Sequence, residues 1–258
     1  MVGAIQYLGW WSLQFVEELG RMARFAGDIG RALLRPPSRV GRFVDELFKI
    51  GVLSLIIICL CGTAVGAVLG LQGYNTLIRF GAADSLGAVV GLSLVRELGP
   101  VLTALLVTGR AGSATTAEIG TMVVTEQLDG LRMMSVDPVH YVVMPKAMAM
   151  TVVMPMLAAL FTVFGIFGGY LVGVRLMGLD PGRYMSAVKD AIDFRSDVAG
   201  SLIKALVFGV LVALIATYRG FTTEPTSSGV SSATTSTVVI ASVAILVFDY
   251  VITALWGV

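Results

Sequence analysis

Charged residues are scarce in this chain of 258 residues. Asp, Glu, Lys and Arg together make up 14% of the sequence, whereas a typical soluble domain carries about 25%. Hydrophobic residues make up 56%, and the mean hydropathy is +0.87. The net charge of +1 argues against a nucleic-acid-binding domain, which normally shows a concentrated basic surface. The composition therefore indicates an integral membrane protein.

Residues that usually carry chemistry are also rare. The single histidine, His140, follows Asp137 and Pro138 close to a membrane boundary, and no Gly-x-Ser-x-Gly motif or cluster of metal ligands accompanies it. An intramembrane hydrolase is therefore disfavoured. The chain also has no Gly-x-x-x-x-Gly-Lys-Ser/Thr phosphate loop, so an ATP-driven process would need an ATPase in another chain.

The two cysteines lie two residues apart in an apolar run, where a helix would turn Cys59 and Cys61 to different sides. This geometry does not suit a disulfide, and we interpret both as small apolar packing residues. The N-terminus lacks a short apolar core followed by a small-residue cleavage site, so no cleaved signal peptide is expected.

Residues 1–37 have the pattern of an amphipathic helix. Apolar residues recur at every third or fourth position from Ile5 to Leu33, charged residues occupy the other faces, and Trp10 and Trp11 lie near the start. This pattern predicts a helix in the membrane interface that ends at the proline pair of residues 36 and 37. A helix packed on a soluble partner stays open as the alternative.

Apolar runs predict an all-α fold with five transmembrane helices, at residues 50–71, 86–108, 139–177, 198–218 and 238–256. Basic residues before the first run predict a cytoplasmic N-terminus, and five spans then place the C-terminus on the other side: Arg31, Arg35, Arg39, Arg42 and Lys49. The run 139–177 is long for one upright span but lacks a polar turn, so we expect one tilted or broken helix rather than two.

The segments between these runs differ in character. We expect an external loop at 72–85, a short periplasmic helix within 178–198, and a Ser- and Thr-rich cytoplasmic connection at 220–237. In the first run, Gly62, Gly66 and Gly70 are spaced by four residues, as in helices whose backbones approach closely. This packing could lie at a subunit interface or within one subunit.

The second apolar run contains Arg96, Glu97 and Pro100. A charged residue at the centre of a membrane helix costs roughly 2.5–3.5 kcal/mol. Adjacent helical residues point about 100° apart, so the two charges cannot simply neutralise each other. Pro100 removes one backbone donor and frees the carbonyl of residue 96. We therefore expect a cavity, a neighbouring helix or a second subunit to satisfy these groups.

The polar segment after the second run predicts a cytoplasmic coupling helix over 112–132. Thr115 and Glu118 have the spacing of a capping box, and the chain can turn at Asp129 and Gly130. A short helix between two spans could transmit motion from a soluble partner. An inert surface loop is the alternative.

Several short motifs occur together in a specific order: GLQGY at 70–74, RELGP at 96–100, GRAGSA at 109–114, AEIG at 117–120, TEQLD at 125–129 and VDP at 136–138. In this order and spacing they resemble the MlaE/YrbE permease family. The resemblance covers essentially the whole chain and is strongest to the members that serve the Gram-negative phospholipid-trafficking (Mla) system.

The resemblance implies a single permease domain over 1–258 in the bacterial inner membrane, acting as a homodimer in an ABC transporter. Such permeases move phospholipids between the inner and outer membranes and maintain outer-membrane lipid asymmetry. The implied partners are the ATPase MlaF, the STAS-domain protein MlaB, the MCE-ring protein MlaD and, indirectly, the periplasmic carrier MlaC. ATP and Mg would be bound by the partner ATPase, so this chain is expected to need no cofactor and to be no enzyme itself.

The resemblance also implies two sets of site residues. A lipid cavity between the two subunits would be lined by Leu69, Gln72, Thr76, Leu77, Phe80, Arg96, Glu97 and Leu98. Contacts with the ATPase would come from Glu118, Met122, Glu126, Gln127, Leu128 and Asp129.

The residues themselves leave other functions open. Arg96 and Glu97 could pair structurally with other helices instead of serving a lipid cavity. Glu97 could titrate at membrane depth in an ion-gradient-driven secondary transporter of a hydrophobic substrate. A passive scaffold for a periplasmic ring is a third alternative.

Overall fold

The computed structural model describes residues 2–33 and 40–256, and every regular element in these residues is helical. The α-helices are α1 (Val2–Leu33), α2 (Val40–Ile50), α3 (Leu55–Leu77), α4 (Leu86–Ser93), α5 (Gly99–Val107), α6 (Ser113–Val124), α7 (Gln127–Met133), α8 (Met144–Tyr170), α9 (Pro181–Ala191), α10 (Ala199–Phe221) and α11 (Ser227–Trp256). Wider π-helical turns join or precede several of them, at Leu94–Leu98, Thr108–Gly112, Val139–Val143, Leu171–Leu176 and Phe194–Val198.

Within the described residues, five helical stretches are long and apolar enough to cross a membrane. We refer to them as the first to fifth spans: Val40–Phe80, Ala83–Val124, Val139–Leu176, Phe194–Phe221 and Ser227–Leu255. The all-α fold with five spans is confirmed. The third span is one helix, as expected for the run 139–177.

The second span is longer than predicted, because π-turns and not loops connect α4, α5 and α6. The predicted end at residue 108 and the single helix over 112–132 are therefore wrong. Thr115 lies inside a continuous helix and caps nothing. The chain leaves this helix only at Glu126, whose φ of 56° is left-handed, and α7 follows as a separate helix. Tertiary packing explains the extension, because Gly220 of α10 lies directly against Thr116 and Ile119.

Two predicted loops are also largely helical. The first span continues through α3 and a 3₁₀ turn at Ile78–Phe80 before Gly81, with a φ of 67°, turns the chain. The fifth span begins at Ser227, so the predicted connection 220–237 is wrong over most of its length. Hydroxyl groups there bond back to the preceding turn, as Thr237 does to the carbonyl of Ala233 at 2.8 Å. These bonds allow a Ser- and Thr-rich segment to stay helical.

The glycines of the first span pack against α8 within one subunit. A Cβ atom on Gly62 would lie 2.8 Å from the carbonyl oxygen of Phe161, and one on Gly66 would overlap the carbonyl of Gly165. Such close backbone approach requires glycine at both positions. Of the two arrangements that the spacing allowed, the structure therefore uses these glycines inside the protomer.

Helix α1 is confirmed as a helix, and its C-terminal half packs on the bundle. Phe25 is buried, with ring centroids 5.6 Å from Tyr218 and 5.5 Å from Phe221. Towards the N-terminus, Leu13 and Val16 are exposed. The interfacial location stays a prediction, and the helix end predicted at residues 36 and 37 lies outside the described residues.

Helix α9 confirms the short helix predicted within 178–198. The Asp180 carboxylate accepts a hydrogen bond from the backbone N–H of Arg183 at 2.9 Å and caps the helix. Tyr184 is buried against Gly87 and donates its hydroxyl to the carbonyl of Ile166 at 3.3 Å. Burial raises the pKa of Tyr184 to about 12. Cys59 and Cys61 are both free thiols, as expected.

Candidate functional site

Arg96 and Glu97 lie in the π-helical turn that precedes Pro100. The N–H of Gly99 bonds back to the carbonyl of Leu94, five residues earlier, so the helix widens at this point. The Arg96 carbonyl, which Pro100 leaves without its usual helical donor, accepts a hydrogen bond from Lys204 Nζ at 3.2 Å. A neighbouring helix therefore satisfies the freed carbonyl, which was one of the three expected solutions.

Lys204 of the fourth span holds Glu97 as well. Its Nζ atom lies 2.7 Å from Glu97 Oε2 and 2.9 Å from Thr253 Oγ1. Asp249 Oδ1 lies 3.0 Å from the same nitrogen, without hydrogen-bond geometry. Because Thr253 and Asp249 belong to the fifth span, one buried lysine connects the second, fourth and fifth spans.

Arg96 has a separate partner in the fourth span. Its Nε atom donates to Asp197 Oδ1 at 2.9 Å, and the other oxygen of Asp197 accepts from the backbone N–H of Asp193 at 2.9 Å. We call Arg96, Glu97, Asp197, Lys204 and Asp249 the span cluster. Its three ion pairs, one of Arg96 and two of Lys204, form within one protomer, which supports the structural-pairing alternative for Arg96 and Glu97.

Pairing does not seal these two side chains away. Arg96 stays 39% exposed and Glu97 40% exposed, whereas Asp197 and Lys204 are almost fully buried. A cleft beside them is lined by Ser196, Gly200, Ser201, Ile252 and Thr253 together with the charged residues. It holds ≈ 40 Å³ of space, enough for about two or three water molecules but not for a lipid. Any lipid would therefore contact the exposed, outward side of Arg96 and Glu97.

The remaining predicted lipid residues do not line this cleft. Gln72, Thr76 and Phe80 follow one another at intervals of four and are all exposed, so they share a free face of the first span. Three leucines of the predicted set are half-buried against the main core: Leu69, Leu77 and Leu98. Within one protomer the structure thus places the exposed α3 face outside the cleft that the charged turn lines, and lipid contact stays a prediction.

The span cluster includes residues that the sequence reasoning missed. Asp197, Lys204 and Asp249 each carry a charge in or beside an apolar run, which is the signal that singled out Arg96 and Glu97. Their lone charges pointed to partners at membrane depth. The sequence alone does not show which of these distant charged residues form ion pairs with each other.

The predicted ATPase contacts divide into exposed and internal residues. Glu126, Gln127 and Asp129 are exposed, whereas Leu128 is buried against Ile119 and Val142. Glu118 bonds to Lys146 of the third span at 2.7 Å, and the half-buried Met122 lines a cavity beside this pair. Beyond the predicted set, Met133 and Met134 are 87% and 67% exposed at the end of α7, an apolar patch of the kind that marks interaction sites.

Comparison with known proteins agrees with the architecture over nearly the whole chain. A family model described as permease MlaE matches residues 43–255. The chain is 46% identical to the intermembrane phospholipid transport system permease protein MlaE of Haemophilus influenzae, over 99% of this chain and 98% of that protein. A probable ABC transporter permease protein of Rickettsia bellii is 39% identical over 95% of this chain and 94% of its own length.

A more distant relative comes from a plant. The chloroplastic protein TRIGALACTOSYLDIACYLGLYCEROL 1 of Arabidopsis thaliana is 32% identical over 89% of this chain and 65% of that protein. The family match begins within the first span, extends to the end of the fifth and includes the whole span cluster. The chain therefore belongs to the MlaE permease family.

Proposed function

We propose that this chain is the permease subunit of an ATP-driven ABC transporter that moves phospholipids between the inner and outer membranes and maintains outer-membrane lipid asymmetry. The observation that carries the proposal is the 46% identity, across 99% of the chain, to a permease of an intermembrane phospholipid transport system. The polar turn at Arg96 and Glu97 in an apolar span supports it, because charges at that depth mark substrate pathways in membrane proteins.

The proposed site forms between two copies of the chain in the inner membrane. The exposed α3 face of Gln72, Thr76 and Phe80 would contact lipid, with Arg96 and Glu97 presenting their free sides to the same hollow. The half-buried Leu69, Leu77 and Leu98 would complete its wall. Apolar side chains suit acyl chains, and the two charges suit the polar parts of a phospholipid. The N-terminus would be cytoplasmic and the C-terminus periplasmic.

The energy for transport would come from a partner, because the sequence has no phosphate loop. We propose MlaF as this ATPase, with ATP and Mg bound there, and MlaB as its companion. The exposed residues Glu126, Gln127 and Asp129 would contact the ATPase, and we add Met133 and Met134 to this surface. On the opposite side of the membrane the permease would lie beneath an MlaD ring that exchanges lipid with MlaC.

The transport proposal is tested by reconstituting the purified complex in vesicles and measuring ATP-dependent phospholipid transfer. Arg96→Ala and Glu97→Ala should insert normally yet lower transfer by about tenfold, since a hydrogen bond to a charged group contributes about 1.5–3 kcal/mol. Arg31→Ala, which removes an exposed arginine of α1 that pairs with Asp28, is the matched control and should transfer lipid normally.

Three results would contradict this proposal. Normal transfer by both variants at normal expression would remove the role of Arg96 and Glu97 and favour a passive scaffold. Transfer that persists without ATP and collapses with an ion gradient would indicate a secondary transporter. Lipid or peptide cleavage by the purified chain alone would indicate an enzyme.

The ATPase contact is tested by charge reversal. Glu126→Lys together with Asp129→Lys should abolish co-purification of the ATPase, because both carboxylates are exposed and available to a partner, and the surface pair of Asp129 with Arg132 is weak. Glu17→Lys together with Asp28→Lys, at two exposed positions of α1, is the control with the same change of charge. Unchanged co-purification and ATP turnover in the double variant would show that the contact lies elsewhere.

A further inference from the structure

A second group of charges joins three elements at the end of the bundle where α7 lies. Lys146, at the start of α8, has a side chain that is 3% exposed and donates to Glu46 Oε1 of α2 at 2.8 Å and to Glu118 Oε2 of α6 at 2.7 Å. The partly exposed Lys49 lies 3.6 Å from Glu46 and 3.8 Å from Glu118. One buried lysine thus bridges two carboxylates, with a second lysine beside them.

Arg110 of the second span forms hydrogen bonds in the same region. Its Nη1 atom donates to Ser54 Oγ at 2.7 Å and to the backbone carbonyl of Lys49 at 3.1 Å. These groups lie at the elbow where α2 ends and α3 begins. The last carbonyls of a helix lack intrahelical donors, and a cation near them is favourable. We call Glu46, Lys49, Arg110, Glu118 and Lys146 the elbow bridge.

Open space adjoins one side of the elbow bridge. A cavity of ≈ 250 Å³ is lined by Glu46, Lys49, Glu118 and Lys146, with Arg42 and Tyr141 at its side. Helix α2 packs on α8, while its link to α6 runs across this cavity through charged side chains. Space of this kind admits water, so the pairs can exchange partners without disrupting an apolar core.

Stability alone does not account for the bridge. Replacing a buried ion triad with apolar residues is often neutral or stabilising, whereas a charged triad specifies geometry. Here the alternative geometry is already present, because Glu118 has one oxygen near Lys146 and the other near Lys49. The same carboxylate can therefore favour either lysine as α6 moves relative to α2.

The bridge connects the two surfaces that the proposed function uses. Helix α6 leads to α7 and its exposed Met133 and Met134, whereas α2 leads directly into α3 and its face of Gln72, Thr76 and Phe80. We propose that Lys146 is a positioning residue through which the elbow bridge transmits displacement of the α6–α7 segment to the first span. This inference rests on the proposed function.

The test uses the full transporter complex in vesicles, with fluorescent phospholipid as the probe. The measured quantity is lipid transferred per ATP hydrolysed. In the double variant Glu46→Gln/Lys146→Met, the Glu118 carboxylate still lies near Lys49 and is still partly exposed to solvent. No buried charge is therefore left unpaired. We expect ATPase co-purification and ATP hydrolysis close to wild type and a ratio lowered at least about fivefold, the low end of typical coupling effects.

Further variants separate coupling from folding. Lys146→Arg keeps the charge and should keep most of the lipid transferred per ATP hydrolysed. Arg110→Met should lower this ratio by removing the hydrogen bonds of Arg110 to Ser54 and to the carbonyl of Lys49, while the Lys146 pairs stay intact. Asp84→Asn/Arg183→Met removes an exposed pair of the same length, 2.7 Å, near α9, and should leave the ratio unchanged.

Two results would overturn this inference while leaving the proposed function intact. One is a wild-type ratio in both Glu46→Gln/Lys146→Met and Arg110→Met. The other is a proportional fall of ATP hydrolysis and lipid transfer, which leaves the ratio unchanged and would place the bridge in ATPase docking. A wild-type complex without ATP-dependent transfer would overturn the proposed function, and this inference with it.

Discussion

The two charged groups of this bundle, the span cluster and the elbow bridge, share one arrangement of charges in different surroundings. In each, a buried lysine holds two carboxylates from other helices: Lys204 in the span cluster and Lys146 in the elbow bridge. The space beside the span cluster is ≈ 40 Å³, and that beside the elbow bridge is ≈ 250 Å³. The first arrangement joins three spans beside a narrow cleft, whereas the second joins helices beside a much larger cavity.

The availability of a substitute cation also differs. Beside Lys146, the half-exposed Lys49 already lies within 4 Å of both carboxylates. Beside Lys204, the nearby cation Arg96 is engaged with Asp197. Loss of the lysine should therefore have unequal consequences in the two places, and this inequality can be measured.

The largest expected effect is that of Lys204→Met. It leaves Glu97 and Asp249 without a cation and the Arg96 carbonyl without a donor, and breaking a buried pair in this way costs about 3–5 kcal/mol. We expect a large loss of folded protein in thermal unfolding of the detergent-solubilised chain. Lys146→Met should lose clearly less, because Lys49 remains.

Neutralising the whole group controls for unpaired charge. Glu97→Gln and Asp249→Asn added to Lys204→Met should recover most of the lost stability. Equal losses of stability for Lys204→Met and Lys146→Met would contradict the comparison, because the two lysines would then have equivalent surroundings.

A smaller effect is expected from Gly66→Ala, in the packed contact between α3 and α8. The added methyl group overlaps the carbonyl of Gly165, and overpacking of this kind costs about 1–3 kcal/mol. The change should lower thermal stability without altering either charged group. Gly27→Ala on α1 is the matched control, because nothing lies within 4 Å of its added Cβ, and it should be neutral or slightly stabilising.

The smallest effect concerns α9 and depends on pH. The folded-state pKa of Tyr184, about 12, lies above its ordinary value of 10.0. Its contribution to stability is therefore fully present below pH 10 and is lost as pH rises towards 12. Tyr184→Phe should flatten this part of the curve of unfolding free energy against pH, measured by circular dichroism. The same slope in both proteins would show that another group titrates.

The sequence predicted the number of spans well because long apolar runs leave few alternatives in a membrane. It failed at the helix ends. Residues 109–124 and 227–237 contain glycine, serine and threonine, which indicate loops, yet they are helical where Thr116, Ile119 and Thr237 pack between helices. Tertiary contacts outweighed local propensity there, and no local pattern reveals such contacts.

The candidate site was predictable to a similar degree. The cost of Arg96, Glu97 and the carbonyl freed by Pro100 required partners, and the structure contains them. Which partners they are depends on a contact between residues about one hundred positions apart, as with Asp197 and Lys204. A single sequence records each lone charge but not their pairing. The same holds for Lys146, whose two carboxylates come from α2 and α6.

The π-helical turns of the second span set the direction in which its later residues point. Each such turn accommodates one residue more than regular α-helix would. If the turn at Thr108–Gly112 tightened to regular α-helix with its residues unchanged, everything beyond it would rotate by about 100°. Glu118 would then point away from Lys146. The alignment of the two ends of this span therefore depends on the width of this turn as much as on the identity of its charges.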